Sequence, residues 1–155
     1  MLPLILAALQ APAPGPVYHG RAGQLDVRPP RIEASASVDG ALDERVWSEA
    51  ALLTGFSQYR PVDGRPAEDS TEVRVWYAPD AIWFGIRAFE EHGDQIRATL
   101  ADRDAIDADD QVQILLDTFN DRRRALMFAV NPLGVQQDGV RSEGQEASAG
   151  GVGAG

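Results

Sequence analysis

Three consecutive stretches decide the fold class of this chain: Thr71-Glu72-Val73-Arg74-Val75-Trp76-Tyr77, then Ala78-Pro79-Asp80-Ala81, then Ile82-Trp83-Phe84-Gly85-Ile86-Arg87-Ala88. The first and third alternate with period two, which is the signature of a strand with one buried face. Val73, Val75 and Tyr77 share one side, as do Ile82, Phe84, Ile86 and Ala88. The middle stretch carries Pro and Asp, the residues of a turn. A hairpin closed at Pro79-Asp80 pairs Tyr77 with Ile82, Val75 with Phe84 and Val73 with Ile86. All six then lie on one side, so the register is self-consistent. On the other side Trp76 faces Trp83, Arg74 faces Gly85 and Glu72 faces Arg87.

Working outward, a second hairpin is predicted. Residues 111–119 read as a strand with Val112, Ile114 and Leu116 inward, 120–123 as a polar turn, and 125–130 as the return strand. Asn131-Pro132-Leu133-Gly134 is another turn, and 135–138 add a short strand. Upstream, 31–34 and 56–59 are expected as short strands. Residues 43–52 predict one helical segment with Val46, Trp47, Ala50 and Ala51 as its apolar stripe, and 95–100 one further helical turn. Six or more short strands separated by turn signals predict an all-β fold, an antiparallel β-sandwich or barrel.

Composition excludes several function classes. The chain has 155 residues, room for one domain plus tails. Its 14 basic residues are all Arg, and against 24 acidic residues they leave a net charge of -10. Non-specific nucleic-acid binding needs the opposite sign. No Cys is present, which removes disulfides, thiolate metal sites and Cys nucleophiles, and two His residues, His19 and His92, cannot build a multi-His metal site. At the start, residues 1–16 carry a short apolar run followed by small residues and Pro. This is too short to span a bilayer and fits a secretory leader, although no Lys or Arg precedes it. Residues 17–27 are expected as a linker. Residues 144–155 are almost wholly Gly, Ala and Ser, and are expected as a disordered tail.

Three stretches together resemble a known family. They are Val38-Asp39-Gly40-Ala41-Leu42-Asp43-Glu44 with Trp47 and Ala50; Thr71-Glu72-Val73-Arg74-Val75 with its hairpin partner; and Arg103-Asp104 through Asp109-Asp110-Gln111-Val112-Gln113-Ile114-Leu115-Leu116-Asp117-Thr118-Phe119-Asn120-Asp121, continued by Asn131-Pro132-Leu133-Gly134-Val135-Gln136-Gln137-Asp138-Gly139. In order and spacing they look like the family 9 carbohydrate-binding module, in the version found at the N-terminus of large exported bacterial proteins with an outer-membrane barrel behind it. The resemblance covers about residues 28–141. It implies a jelly-roll-like sandwich over 28–143, incomplete at the C-terminus because the family's closing strands are replaced by Gly and Ala. It further implies export to the periplasm or outer membrane, and non-catalytic binding of a polysaccharide or oligosaccharide. Any O-glycosyl hydrolase activity would then belong to the parent protein. The alternative is a structural domain that kept the fold, lost the sugar site and packs on the barrel.

Candidate site residues follow. Trp76 and Trp83, opposed across the hairpin, could form an aromatic platform for a sugar ring, with Arg74 binding a hydroxyl and Gly85 leaving open space above the strand. The competing reading makes the two indoles core, under a layer such as the segment around Trp47, and carries more weight. Gln113 stands where the resemblance implies a sugar-binding carboxylate, and Asp107 where it implies a Trp. Asp104, Asp107, Asp109 and Asp110 form an acidic loop of the kind that supplies Ca²⁺ with oxygen ligands. The plainer reading, carboxylates that cap turns or pair with Arg97 and Arg103, is preferred over it. The Arg122-Arg123-Arg124 run is expected to balance Asp117 and Asp121. Nothing in the sequence assembles a catalytic residue set.

Overall fold

The computed structural model describes residues 13–58, 63–91 and 96–142. The fold is all-β and sandwich-like in class, with strands in two sheets of four and three and no long helix. No helix among the described residues is long and apolar enough to cross a membrane. The chain divides into two compact units, Met1–Glu91 and His92–Gly155, and the division falls inside the stretch expected to be one domain. The expected leader lies mostly, and the expected tail wholly, outside the described residues.

The first unit holds β1 (Val17–His19), α1 (Val46–Glu49), β2 (Ala51–Thr54), β3 (Thr71–Tyr77) and β4 (Ile82–Ala88), with sheet order β1-β2-β3-β4. The β3–β4 register is the one that period two dictates: Tyr77 pairs with Ile82, Val75 with Phe84 and Val73 with Ile86. The turn closes through the Ala78 N–H on the Ala81 carbonyl at 2.8 Å.

Three sequence expectations need correction. The stretch read as a linker contributes β1, which pairs parallel with β2, Val17 opposite Leu52. The helix expected over 43–52 is a single turn, since Ala50 is already extended and Ala51, Leu52 and Leu53 pair with Val75, Arg74 and Val73. One turn with no side-chain cap at Arg45 gains little as a helix, so the competing strand pairing wins. The strands expected at 31–34 and 56–59 reduce, among the described residues, to isolated bridges of Arg31 with Tyr77 and Ser57 with Pro66. Residues 96–100 form no helical turn.

Short as it is, α1 builds the core of this unit. Val46, Trp47 and Ala50 are buried with Trp76, and Ile32, Leu42 and Trp83 pack against them. Arg74 ties the turn to the sheet, its guanidinium donating to the Trp47 carbonyl at 3.0 Å.

The second unit holds β5 (Val112–Leu116), β6 (Arg124–Val130) and β7 (Gln136–Ser142), antiparallel in the order β5-β6-β7. The loop between β5 and β6 is organised by two carboxylates. Asp117 accepts the Phe119 and Arg122 N–H groups, and Asp121 accepts those of Arg123 and Arg124. Asn120 and Arg122 take positive φ there, and the Arg124 guanidinium pairs with Asp121 and lies over the Phe119 ring. Val112, Ile114 and Leu116, expected inward, are only half-buried. Their partners Val130, Phe128 and Leu126 are 40%, 47% and 38% exposed. The fully buried apolar side chain of this unit is instead Ile106, in the loop before β5.

Candidate functional site

The face of β3–β4 that carries Trp76 and Trp83 is covered. The two indoles stack, with centroids 5.2 Å apart and planes 4° from parallel, and Trp47 meets Trp76 edge-on at 6.1 Å. Trp76 is fully buried and Trp83 is partly buried against the same cluster. Gly85 leaves no open space: a β-carbon there would come within 2.8 Å of Leu42 Cδ2 and of Trp47 Cζ3. Trp76 thus offers no ring surface to a sugar. The physical reason is that α1 carries its own apolar stripe and buries it against these indoles.

Beside this covered pair lies a groove of about 460 Å³. Its floor carries Arg74 from β3 and Arg87 from β4, one wall is the segment of Leu42, Asp43 and Glu44 leading into α1, and the other is the strap ending in Val17. The strap is pinned where the Gly15 N–H reaches the Ser48 carbonyl at 3.0 Å and the Pro16 carbonyl accepts the Leu52 N–H at 2.8 Å. A side chain at position 15 would strike the Ala50 carbonyl at 1.9 Å, so glycine permits this approach. Glu44 holds the wall together, one oxygen accepting the Ser37 N–H at 2.7 Å and the other the Trp47 indole N–H at 2.9 Å. Backbone N–H groups, Ser37's first, keep its carboxyl below the usual carboxylate range, with the Trp47 indole adding to the effect. The groove therefore combines apolar surface with fixed polar groups, as small-ligand sites do.

The structure thus brings three of the four carbohydrate candidates, Trp76, Trp83 and Arg74, onto one sheet face, and only Arg74 lines a groove. Gln113 belongs to the other unit, exposed on β5 opposite Ala129.

The acidic loop does not gather into a metal site, and no group of three or more such side chains is placed to hold a metal ion among the described residues. Each carboxylate of the candidate calcium set is engaged. Asp104 accepts the Asp138 N–H, Asp107 the Gln137 amide and Asp110 the Arg97 N–H. Asp109 accepts the Thr99 N–H and hydroxyl and the Asn131 amide. The Asn131 bond first, then the Thr99 N–H, holds Asp109 below the ordinary carboxylate range. Arg103, expected to pair with this loop, does so with Asp104 at 3.9 Å and bonds more closely to Asp138.

Sequence reasoning missed Asn131. It is 3% exposed and satisfies all of its polar atoms: its amide donates to the Thr99 carbonyl and to Asp109, and its oxygen accepts the Leu133 and Val135 N–H groups. Its neighbour Pro132 marked the position as a turn and concealed this second role. Arg87 and the strap residues were missed as groove-lining because nothing local in the sequence places 14–17 beside β4.

No protein family, curated protein or solved structure matches the chain.

Proposed function

We propose that the chain is a non-catalytic carbohydrate-binding domain whose ligand enters the groove of the first unit, serving carbohydrate breakdown by a larger exported protein. The observation that carries this reading is the groove itself, with Arg74 held on the Trp47 carbonyl and polar and apolar groups side by side. The resemblance of residues 28–141 to family 9 carbohydrate-binding modules supports it. The buried indoles move the proposed contact from the aromatic faces to the groove edge. Titration of the full chain with xylo- and cello-oligosaccharides tests the reading. Saturable heat that a glycan competitor abolishes is the expected result, and silence across a broad glycan array would refute it.

A second reading has one observation in its favour. Leu126, Phe128, Val130 and Val140 stand exposed on a single face of β6 and β7. Contiguous apolar surface of this kind marks interaction sites, which favours a structural domain that packs on another protein, an outer-membrane barrel being the proposed partner.

A further inference from the structure

We propose that the groove takes the carboxylate of a uronic-acid residue within an otherwise neutral glycan, held by the Arg74 and Arg87 guanidinium groups. The proposal rests on the carbohydrate reading above and names its sugar class. In the β3–β4 register Arg74 stands opposite Gly85 and Arg87 opposite Glu72, so the two arginines share a face as diagonal neighbours. Such neighbours are ~7–8 Å apart at the backbone, a span two long side chains close easily. The Arg74 fork is fixed by the Trp47 carbonyl on one nitrogen, which leaves its other N–H groups to donate. Arg87 has no ion pair or hydrogen bond among the described residues, although Glu72 faces it in register, and it lines the groove instead.

Of the neighbouring carboxylates, Glu44 is committed to the Ser37 and Trp47 N–H groups and Glu49 to Arg45, while Glu72 and Asp43 form no ion pair with either arginine among the described residues. Two guanidinium groups with open donors match a carboxylate bidentately. Asp43, exposed on the wall, is left to accept from a sugar hydroxyl. The net charge of -10 repels a densely charged polyanion, which selects a glycan carrying isolated acids. A volume of about 460 Å³ lies within the ~300–1,000 Å³ of small-ligand sites.

Calorimetric titration of the full chain with a xylotriose carrying a single glucuronic acid branch, the methyl ester of that acid and unsubstituted xylotriose tests the proposal. At low salt the acid should bind at least tenfold more tightly than the ester. Arg87→Gln, at an exposed position with no structural partner, should erase that preference while leaving the thermal midpoint in place. Equal affinity for acid and ester, or an unchanged acid affinity in Arg87→Gln, overturns the uronate assignment and leaves the carbohydrate reading standing. Acetate displacing the acidic oligosaccharide at equal concentration also overturns it, because the site would then read a bare anion. Absence of binding for all three overturns the uronate assignment, and silence across the broad glycan array as well overturns both.

Discussion

The two units solve the same problem by different means. In the first, one turn of helix lays Val46, Trp47 and Ala50 onto stacked indoles, and the sheet face beneath them is closed by apolar contact. Among the described residues the second has no such cover, its sheet leaves Phe128 and Val140 about half exposed or more, and its order comes from a polar hub in which Asn131 joins Asp109, Thr99 and two loop N–H groups. Apolar closure resists truncation of large side chains poorly, because a cavity remains. A polar hub resists loss of a single hydrogen-bonding atom poorly, because the remaining partners stay desolvated.

The comparison is broken most forcefully at Trp76. Trp76→Ala should cost ~3–5 kcal/mol, the usual penalty for emptying a large buried aromatic site, read from the denaturant midpoint. A cost below about 1 kcal/mol would mean that α1 does not close the sheet. The indole nitrogens of Trp76 and Trp83 are buried without a partner, whereas that of Trp47 has Glu44. Trp76→Phe should accordingly lose far less than the alanine variant.

In the second unit Asn131→Ala should cost ~1–3 kcal/mol through the groups it leaves unpaired, measured the same way. Asn131→Asp should be at least as costly at neutral pH, since it sets a carboxylate against Asp109. A neutral outcome for both would show that the hub is replaceable by solvent.

Acid sharpens the contrast. Asp109 is held below its ordinary range by bonds made only in the folded chain. A depressed carboxyl stabilises the fold fully above its unfolded titration, near pH 4, and this contribution is lost as pH falls through the lower, folded value. Asp109→Asn should therefore flatten the acid limb of the stability–pH curve; an unaltered limb would assign acid sensitivity elsewhere, with Glu44 in the first unit the next group to test.

The smallest expected effect is at Phe128, which is 47% exposed, where Phe128→Ser should change the denaturant midpoint by the equivalent of about 0.5 kcal/mol or less. A large loss of stability instead would show that the exposed face is covered.

How much of this was legible in the sequence follows from the range of the forces involved. The β3–β4 register was readable residue by residue, because alternation and a Pro-Asp turn are local and a one-residue slip inverts every side chain. The turn at 120–123 was readable as a turn, and Arg124 does pair with Asp121, but Asp117, expected to be balanced by the Arg run, accepts backbone N–H groups instead. What failed was decided at a distance. Residues 17–19 became a strand through their partner β2, the helix over 43–52 shrank because Ala51 to Leu53 pair with β3, and Gly85 is required by Leu42 and Trp47, far away in sequence. At the candidate site Arg74 was legible from its strand position. The loss of the aromatic platform was not, since both readings of Trp76 and Trp83 share one local pattern.

The placement of the aromatic residues has an optical consequence. All three Trp and all three Tyr precede residue 92, and the second unit carries only Phe119 and Phe128. Near-ultraviolet absorbance and intrinsic emission are therefore signals of the first unit alone, and a fragment comprising only the second would pass almost unseen through a detector tuned to them. Coincident melting by emission and by backbone circular dichroism, the ordinary check of two-state behaviour, here becomes a comparison between one unit and the whole chain.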